Sequence, residues 1–186
     1  MGERSVEELA TDEEIQQMAE IVGDSMDGGA VGFSTNRYPP HVGPDGRSIP
    51  GTYAEAKELL EIAKVVGQKK GLMQNVLDFG GQPEFSFNLL KDLASTTGDR
   101  ILFSIGAGPD PESGERVRNL LKELCKDGGD ITGISQPRSS GFMFGLQSGL
   151  PFPGETWEKL RQMKLELRLS SIRDPELCNK LIEEAS

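Results

Sequence analysis

The residue types that build metal centres and thiol chemistry are scarce in this sequence. Its 186 residues include one histidine, His41, and two cysteines, Cys125 and Cys178. A hydrolytic zinc site usually needs three protein ligands, mostly imidazoles, so this composition argues against a complete zinc site built by the chain alone. The two cysteines form no CxxC motif and lie in helical patterns, which favours a reduced, structural role.

Basic residues and long apolar runs are also scarce. The chain has 20 Lys and Arg against 30 Asp and Glu, a formal net charge of -10. This balance argues against nucleic acid or an anionic membrane surface as a partner, because both attract basic patches. No apolar run approaches the length of a membrane span, and the acidic N-terminus is unlike a signal peptide. We therefore expect a cytoplasmic protein with a small-molecule ligand.

Short apolar segments alternate with amphipathic helical patterns along most of the chain. This alternation predicts parallel strands joined by helices, an α/β fold in a single domain over residues 1–186. Four strand–helix units form either a small open sheet or half of an eightfold barrel, and periodicity alone leaves both open. The predicted strands are Ala30–Phe33, Gly71–Asp78, Ile101–Ile105 and Ile131–Gln136, and two helices, 155–163 and 175–185, end the chain.

Helix starts are marked by capping residues. Thr11 and Thr52 are each followed three residues later by glutamate, the capping-box spacing. Asp110 and Asp174 each precede a proline, which predicts a helix with the aspartate as N-cap and the proline in the first position.

Polar side chains cluster where the predicted strands end. The carboxyl ends of parallel strands meet at one rim, where α/β proteins bind their ligands. Amides and guanidinium groups at this rim suit a carboxylate or carbonyl ligand. Alternatively, Arg37 and Arg138 pair with nearby carboxylates such as Asp45. The predicted substrate-binding residues are Ser34, Asn36, Arg37, His41, Asp45, Gln74, Gln136 and Arg138.

Covalent catalysis has little support in the sequence. There is no G-x-S-x-G motif, and neither cysteine has a histidine near it in the sequence. Ser34 or Thr35 could act as a nucleophile only with His41 as base, and a solvated loop histidine is the simpler interpretation. No catalytic residue is assigned.

Several segments resemble one family of hydrolases. The segments GAVGFSTNR, HVGPDGRSIPGTYA, AEAKELLEIAKVVG and IRDPELCNKLIEEA are similar to the D-aminoacylase-like branch of the amidohydrolases. These are the N-acyl-D-amino-acid deacylases, or amidohydrolase family 3 proteins. The likeness extends to MGER and ATDEE near the N-terminus and so covers nearly the whole chain.

This resemblance implies a metal-dependent (β/α) barrel that hydrolyses a C–N amide bond in N-acyl amino acids, using a metal-activated water. It also implies that the chain is an internal fragment, the central-to-late portion of a barrel of TIM type. Zinc or another divalent metal is the implied cofactor. A partial barrel exposes strand edges and apolar faces, so we also expect self-association.

The sequence departs from the family pattern in one respect. Typical members carry metal-binding histidines at the ends of the two strands that here read LMQNVLDF and ILFSIGAG, and neither contains a histidine. No metal ligand is therefore carried over, and the fragment is expected to be inactive alone. The alternative is a non-catalytic α/β domain that binds a small carboxylate ligand, or a scaffold without a ligand.

Overall fold

The fold is described from a computed structural model, in which the chain forms two compact units. The first unit comprises Met1–His41 and Ser48–Ser139, and the second comprises Val42–Arg47 and Ser140–Ser186. The single-domain arrangement stays a prediction. The structure describes residues 1–43, 45–79, 81–98, 100–105, 112–126, 130–135, 145–147, 150 and 152–185, with only the backbone described at 113 and 117.

The first unit alternates strands and helices. Its strands are β1 (Gly32–Asn36), β2 (Leu72–Val76), β3 (Ile101–Ser104) and β4 (Ile131–Ile134). Its helices are α1 (Asp12–Asp27), α2 (Ala56–Gln68), α3 (Pro83–Thr97) and α4 (Ser113–Leu124), preceded by a short 3-10 helix at Gly2–Val6.

The four strands form one parallel sheet in the order β1-β2-β3-β4. Helices α2, α3 and α4 each connect one strand to the next along the chain, and parallel pairing requires such crossover connections. The predicted fold class, a partial (β/α) arrangement of parallel strands, is therefore confirmed. Ser34, Gln74, Leu102 and Thr132 are aligned across the sheet, and these register positions share one face.

The two faces of the sheet differ sharply in burial. On one face Met73 and Phe103 are fully buried against the helices, where they join Leu59, Leu90 and other residues of α2 and α3 in the core. On the other face Leu72 is 37% exposed and Ile134 is 45% exposed. We call this second face the open face; it carries Gly32, Ser34, Asn36, Leu72, Gln74, Val76, Leu102, Ser104, Thr132 and Ile134.

One of the two predicted capping boxes is confirmed and the other is wrong. The Glu14 backbone N–H donates to Thr11 Oγ1 at 3.3 Å, and the Thr11 N–H donates to the Glu14 carboxylate at 3.0 Å. Thr52 instead lies in a turn, where its hydroxyl donates to the carbonyl of Ile49 at 2.9 Å. Helix α2 begins four residues later with Glu55 as N-cap, so Thr52 is too early to cap it.

The second unit is helical in its described part. It contains α5 (Glu155–Gln162), α6 (Leu165–Ser171) and α7 (Pro175–Ala185). The two predicted C-terminal helices are confirmed, and Asp174 caps α7 by accepting from the Glu176 N–H at 2.9 Å. Helix α6 was not predicted. The core of this unit is formed by Leu150, Trp157, Leu160 and Leu181. Among the described residues, no helix is both long and apolar enough to cross a bilayer.

Candidate functional site

Strand β1 begins later and runs further than predicted. It starts at Gly32 rather than Ala30 and includes Ser34, Thr35 and Asn36, which the sequence placed after the strand. The ladder continues for one more bond, because the Arg37 N–H donates to the Val76 carbonyl at 2.8 Å. The strand extends through these polar residues because backbone pairing with β2 does not depend on side-chain polarity. The polar residues therefore alternate between the two faces of the sheet.

The first polar pair of the site joins β1 to β2 on the open face. Ser34 and Gln74 are register partners, and the Ser34 hydroxyl donates to Gln74 Oε1. This bond occupies an acceptor oxygen of the Gln74 amide. The two N–H groups on Gln74 Nε2 are therefore the part of the side chain left to donate outward.

The second polar pair lies at the end of β1. Asn36 Oδ1 accepts from the Tyr38 backbone N–H at 2.8 Å, and Asn36 Nδ2 is hydrogen-bonded to His41 Nδ1. The backbone N–H of His41 donates to the Tyr38 backbone carbonyl at 3.0 Å. The rings of the two residues are in edge contact, with 5.1 Å between their centroids. The loop after β1 is thus held by an Asx turn.

Arg37 is held on the helix side rather than with these two pairs. Its Nη1 donates to the Ala54 carbonyl just before α2, and its guanidinium lies 4.8 Å from the ring centroid of Phe85 in α3. Burial lowers the pKa of Arg37, which the negative charge of Glu58 partly offsets. Burial likewise raises the pKa of Glu58, with Arg37 opposing it. Among the described residues, no hydrogen bond joins Arg37 to Gln74 or His41.

Of the remaining predicted residues, one belongs to the second unit and two lie outside the described part of the chain. Asp45 belongs to the second unit and pairs with Arg47, with Nε to Oδ2 at 2.6 Å, and this hydrogen bond lowers the pKa of Asp45. Gln136 and Arg138, like Asp110, lie outside the described residues. The eight-residue set as one pocket stays a prediction.

A serine or threonine nucleophile activated by His41 does not match the observed bonds. The Ser34 hydroxyl is bonded to Gln74, and His41 Nδ1 is bonded to Asn36. Thr35 is 9% exposed, and its register partner Asn75 lies on the packed face. The three side chains therefore make no nucleophile–base pair.

A metal centre does not fit the described residues. No group of three or more His, Cys, Asp or Glu side chains in that part of the chain could hold a metal ion. The Cys125 thiol donates to the Ile131 carbonyl at 3.6 Å and the Cys178 thiol to the Ile172 carbonyl at 2.8 Å. His41 Nδ1 is likewise engaged, by Asn36 Nδ2.

Tyr38 is the residue of this site that sequence reasoning missed. It fixes the Asn36 side chain through its backbone N–H and contacts His41 through its ring. The signal was available, because an asparagine at the end of a strand often accepts from the N–H two residues later. Asn36 and His41, both predicted from the sequence, therefore share a partner that residue type alone did not indicate.

The parallel sheet, with helices on one face and the polar residues Ser34, Asn36 and Gln74 on the other, defines a partial (β/α) barrel. Two solved structures of D-aminoacylase share this fold, each with a TM-score of 0.59 and 20% identity, covering 74% of this chain. One concerns the functional role of the binuclear metal centre of D-aminoacylase, and the other is a D-aminoacylase mutant with copper chloride.

The predicted resemblance to D-aminoacylase is therefore confirmed at the level of the fold. The chain spans about a quarter of the D-aminoacylase chains, 27% of their length. No protein-family model matches the chain. No curated protein matches it either.

Proposed function

We propose that this chain is the substrate-binding part of a metal-dependent amidohydrolase that cleaves the amide bond of an N-acyl amino acid. The fold shared with D-aminoacylase supports the proposal, because that enzyme fold is built on the same parallel arrangement. In the proposal, the metal is zinc or another divalent ion, and its ligands come from residues other than those described. The chain alone binds substrate and does not hydrolyse it.

The observation that carries the proposal is the direction of the hydrogen bonds on the open face. The Ser34 hydroxyl donates to Gln74 Oε1, so the Gln74 amide presents its N–H groups. The N–H groups of an amide on an uncovered sheet face are suited to the oxygens of a carboxylate. The carboxylate of an N-acyl amino acid is the ligand group that fits this chemistry.

In this account the residues of the chain hold the substrate and orient it. Gln74 donates to the carboxylate, and Ser34 keeps the Gln74 amide in the orientation that allows this. Asn36 and His41 extend the same rim. Arg37, Asp45, Gln136 and Arg138 remain proposed substrate-binding residues on the sequence argument alone.

A second candidate is a non-catalytic α/β domain that binds a small carboxylate. The observation that favours it is that the Ser34 hydroxyl is engaged with Gln74 rather than with a base. Both candidates share the carboxylate at the rim. They differ in whether the amide bond of the ligand is ever cleaved.

The binding claim is tested by replacing the donor amide with an acceptor. N-acetyl-D-alanine and N-acetyl-L-alanine are titrated into the protein while backbone amide shifts are followed by NMR. Gln74→Glu removes the donor and adds a negative charge, so we expect the affinity for both ligands to fall at least tenfold. A factor of about ten corresponds to the loss of one hydrogen bond to a charged group. Gln17→Glu, on the exposed surface of α1, is the matched control with the same charge change.

The outcome tests the carboxylate rim that both candidates share. Binding at residues 34–41 and 72–76 that Gln74→Glu removes and Gln17→Glu keeps supports the carboxylate rim. Equal affinities for the two variants would contradict it. Release of acetate on supplying a divalent metal would show that the chain hydrolyses its ligand, and the proposed inactivity of the chain alone would then be wrong.

A further inference from the structure

The only histidine of the chain is bonded to an asparagine whose own orientation is fixed by the backbone. Asn36 Oδ1 accepts from the Tyr38 N–H at 2.8 Å. A backbone N–H can only donate, so the atom that it meets on the Asn36 amide must be the oxygen. The other end of the amide, Nδ2, therefore lies toward His41.

The orientation of the amide determines the tautomer of the imidazole. Asn36 Nδ2 carries two hydrogens and cannot accept, so His41 Nδ1 must be the acceptor of the bond between them. In a neutral imidazole that accepts at Nδ1, the proton is on Nε2. The edge contact with the Tyr38 ring holds the imidazole in place, and the backbone N–H of His41 donates to the Tyr38 backbone carbonyl.

We propose that Asn36 is a positioning residue that fixes His41 as the Nε2–H tautomer, so that His41 donates a hydrogen bond to a carboxylate oxygen of the ligand. The donor role rests on the proposed function, whereas the tautomer rests on the contacts of Asn36 alone. His41 is then the second N–H donor of the rim beside Gln74. Its Nε2 is a donor in this form and does not serve as a base.

The presence of a single histidine makes the tautomer directly measurable. Two-bond proton–nitrogen NMR spectra of the 15N-labelled protein, recorded in mildly alkaline buffer, show which ring nitrogen carries the proton. We expect the proton on Nε2 in the wild type. Asn36→Asp places an acceptor opposite Nδ1, so we expect the proton to move to Nδ1. Asn88→Asp, on the exposed surface of α3, is the control and leaves the wild-type pattern.

The donor role is tested with N-acetylalanine and two replacements of His41. The Gln side chain places an N–H near the position of Nε2, whereas the shorter Asn side chain places its amide near Nδ1. We expect His41→Gln to keep the affinity within about threefold and His41→Asn to lose about tenfold, the loss of one hydrogen bond to a charged group.

The two readouts separate the possible failures. A proton on Nδ1 in the wild type, or no response of the tautomer to Asn36→Asp, overturns the positioning role whatever the ligand does. If the tautomer is as expected but His41→Gln and His41→Asn bind equally, the donor role is overturned. If the wild type binds no N-acetylalanine at all, the proposed function fails, and the donor role fails with it.

Discussion

Asn75 is a buried amide on the packed face of the sheet. The side chain is fully buried on the packed face of β2, and its Nδ2 donates to the Met73 carbonyl at 3.3 Å. Within the described part of the chain, no group forms a hydrogen bond with Oδ1. A buried polar atom left unpaired costs about 1–3 kcal/mol. Asn75 therefore reduces the stability of the core that it helps to fill.

We predict that Asn75→Leu raises the free energy of unfolding by about 1 kcal/mol. The reason is that Leu has the same branched side-chain skeleton as Asn and brings no unpaired polar atom into the space between Thr35 and Phe103, the register partners of Asn75. The measurement is urea unfolding followed by circular dichroism. Asn88→Leu, on the exposed surface of α3, is the control and should change little. A lower free energy of unfolding in Asn75→Leu would contradict the prediction, because the Asn75 amide would then stabilise the core.

Residue types alone predicted part of the candidate site. The sequence predicted that Ser34, Asn36 and Gln74 lie together at strand ends. That they share one face was not predicted, because the predicted first strand ended at Phe33; the parallel register fixes it. The direction in which the Arg37 side chain points could not be predicted from the sequence, because a residue just past a strand end can turn to either side of the sheet. Its position is decided by Ala54 and Phe85, which come from distant parts of the sequence.

At the scale of elements, the start of α5 is fixed by a carboxylate from α7. Glu184 accepts from the Thr156 hydroxyl at 2.6 Å, from the Thr156 N–H at 3.0 Å and from the Trp157 N–H at 3.3 Å. The hydrogen bond from the Thr156 side chain is the largest cause lowering the pKa of Glu184, although burial opposes it. The carboxylate thus caps the free N–H groups of a helix that has no side-chain cap of its own.

We predict that Glu184→Gln lowers the melting temperature at neutral pH and that this difference shrinks in acid. A carboxylate whose pKa is lowered by folding stabilises the folded state above its ordinary pKa, and this contribution is lost as pH falls through the folded value. The measurement is thermal unfolding of both proteins from about pH 7 to about pH 3. Glu183→Gln, at an exposed neighbouring position, is the control. A difference that stays constant over this range would contradict the assignment.

Elements with a strong local signal were predicted well. The capping box at Thr11 and the Asp174 cap are confirmed because each is complete within a few residues. The Thr52 box failed because its hydroxyl is engaged by the turn before the helix. Helix α6 was missed since its side chains are largely exposed and give no continuous apolar stripe; Leu167 is 56% exposed.

At the scale of the whole molecule, the open face of the sheet is exposed although it carries apolar side chains. In a closed barrel this face lies inside, where layers of side chains fill the interior. Here it carries exposed apolar residues beside the polar pairs, including Leu72 and Ile134. The parallel topology followed from the alternation of patterns. Self-association through this face stays a prediction.

The central claim is that the rim of this sheet recognises a carboxylate, and calorimetric titration of the wild type tests it most directly. The ligands are N-acetylalanine and its methyl ester, which differ only in whether the carboxylate is present. We predict that the acid binds at least about tenfold more tightly than the ester, the contribution of a hydrogen bond to a charged group. Equal binding of acid and ester would contradict the account.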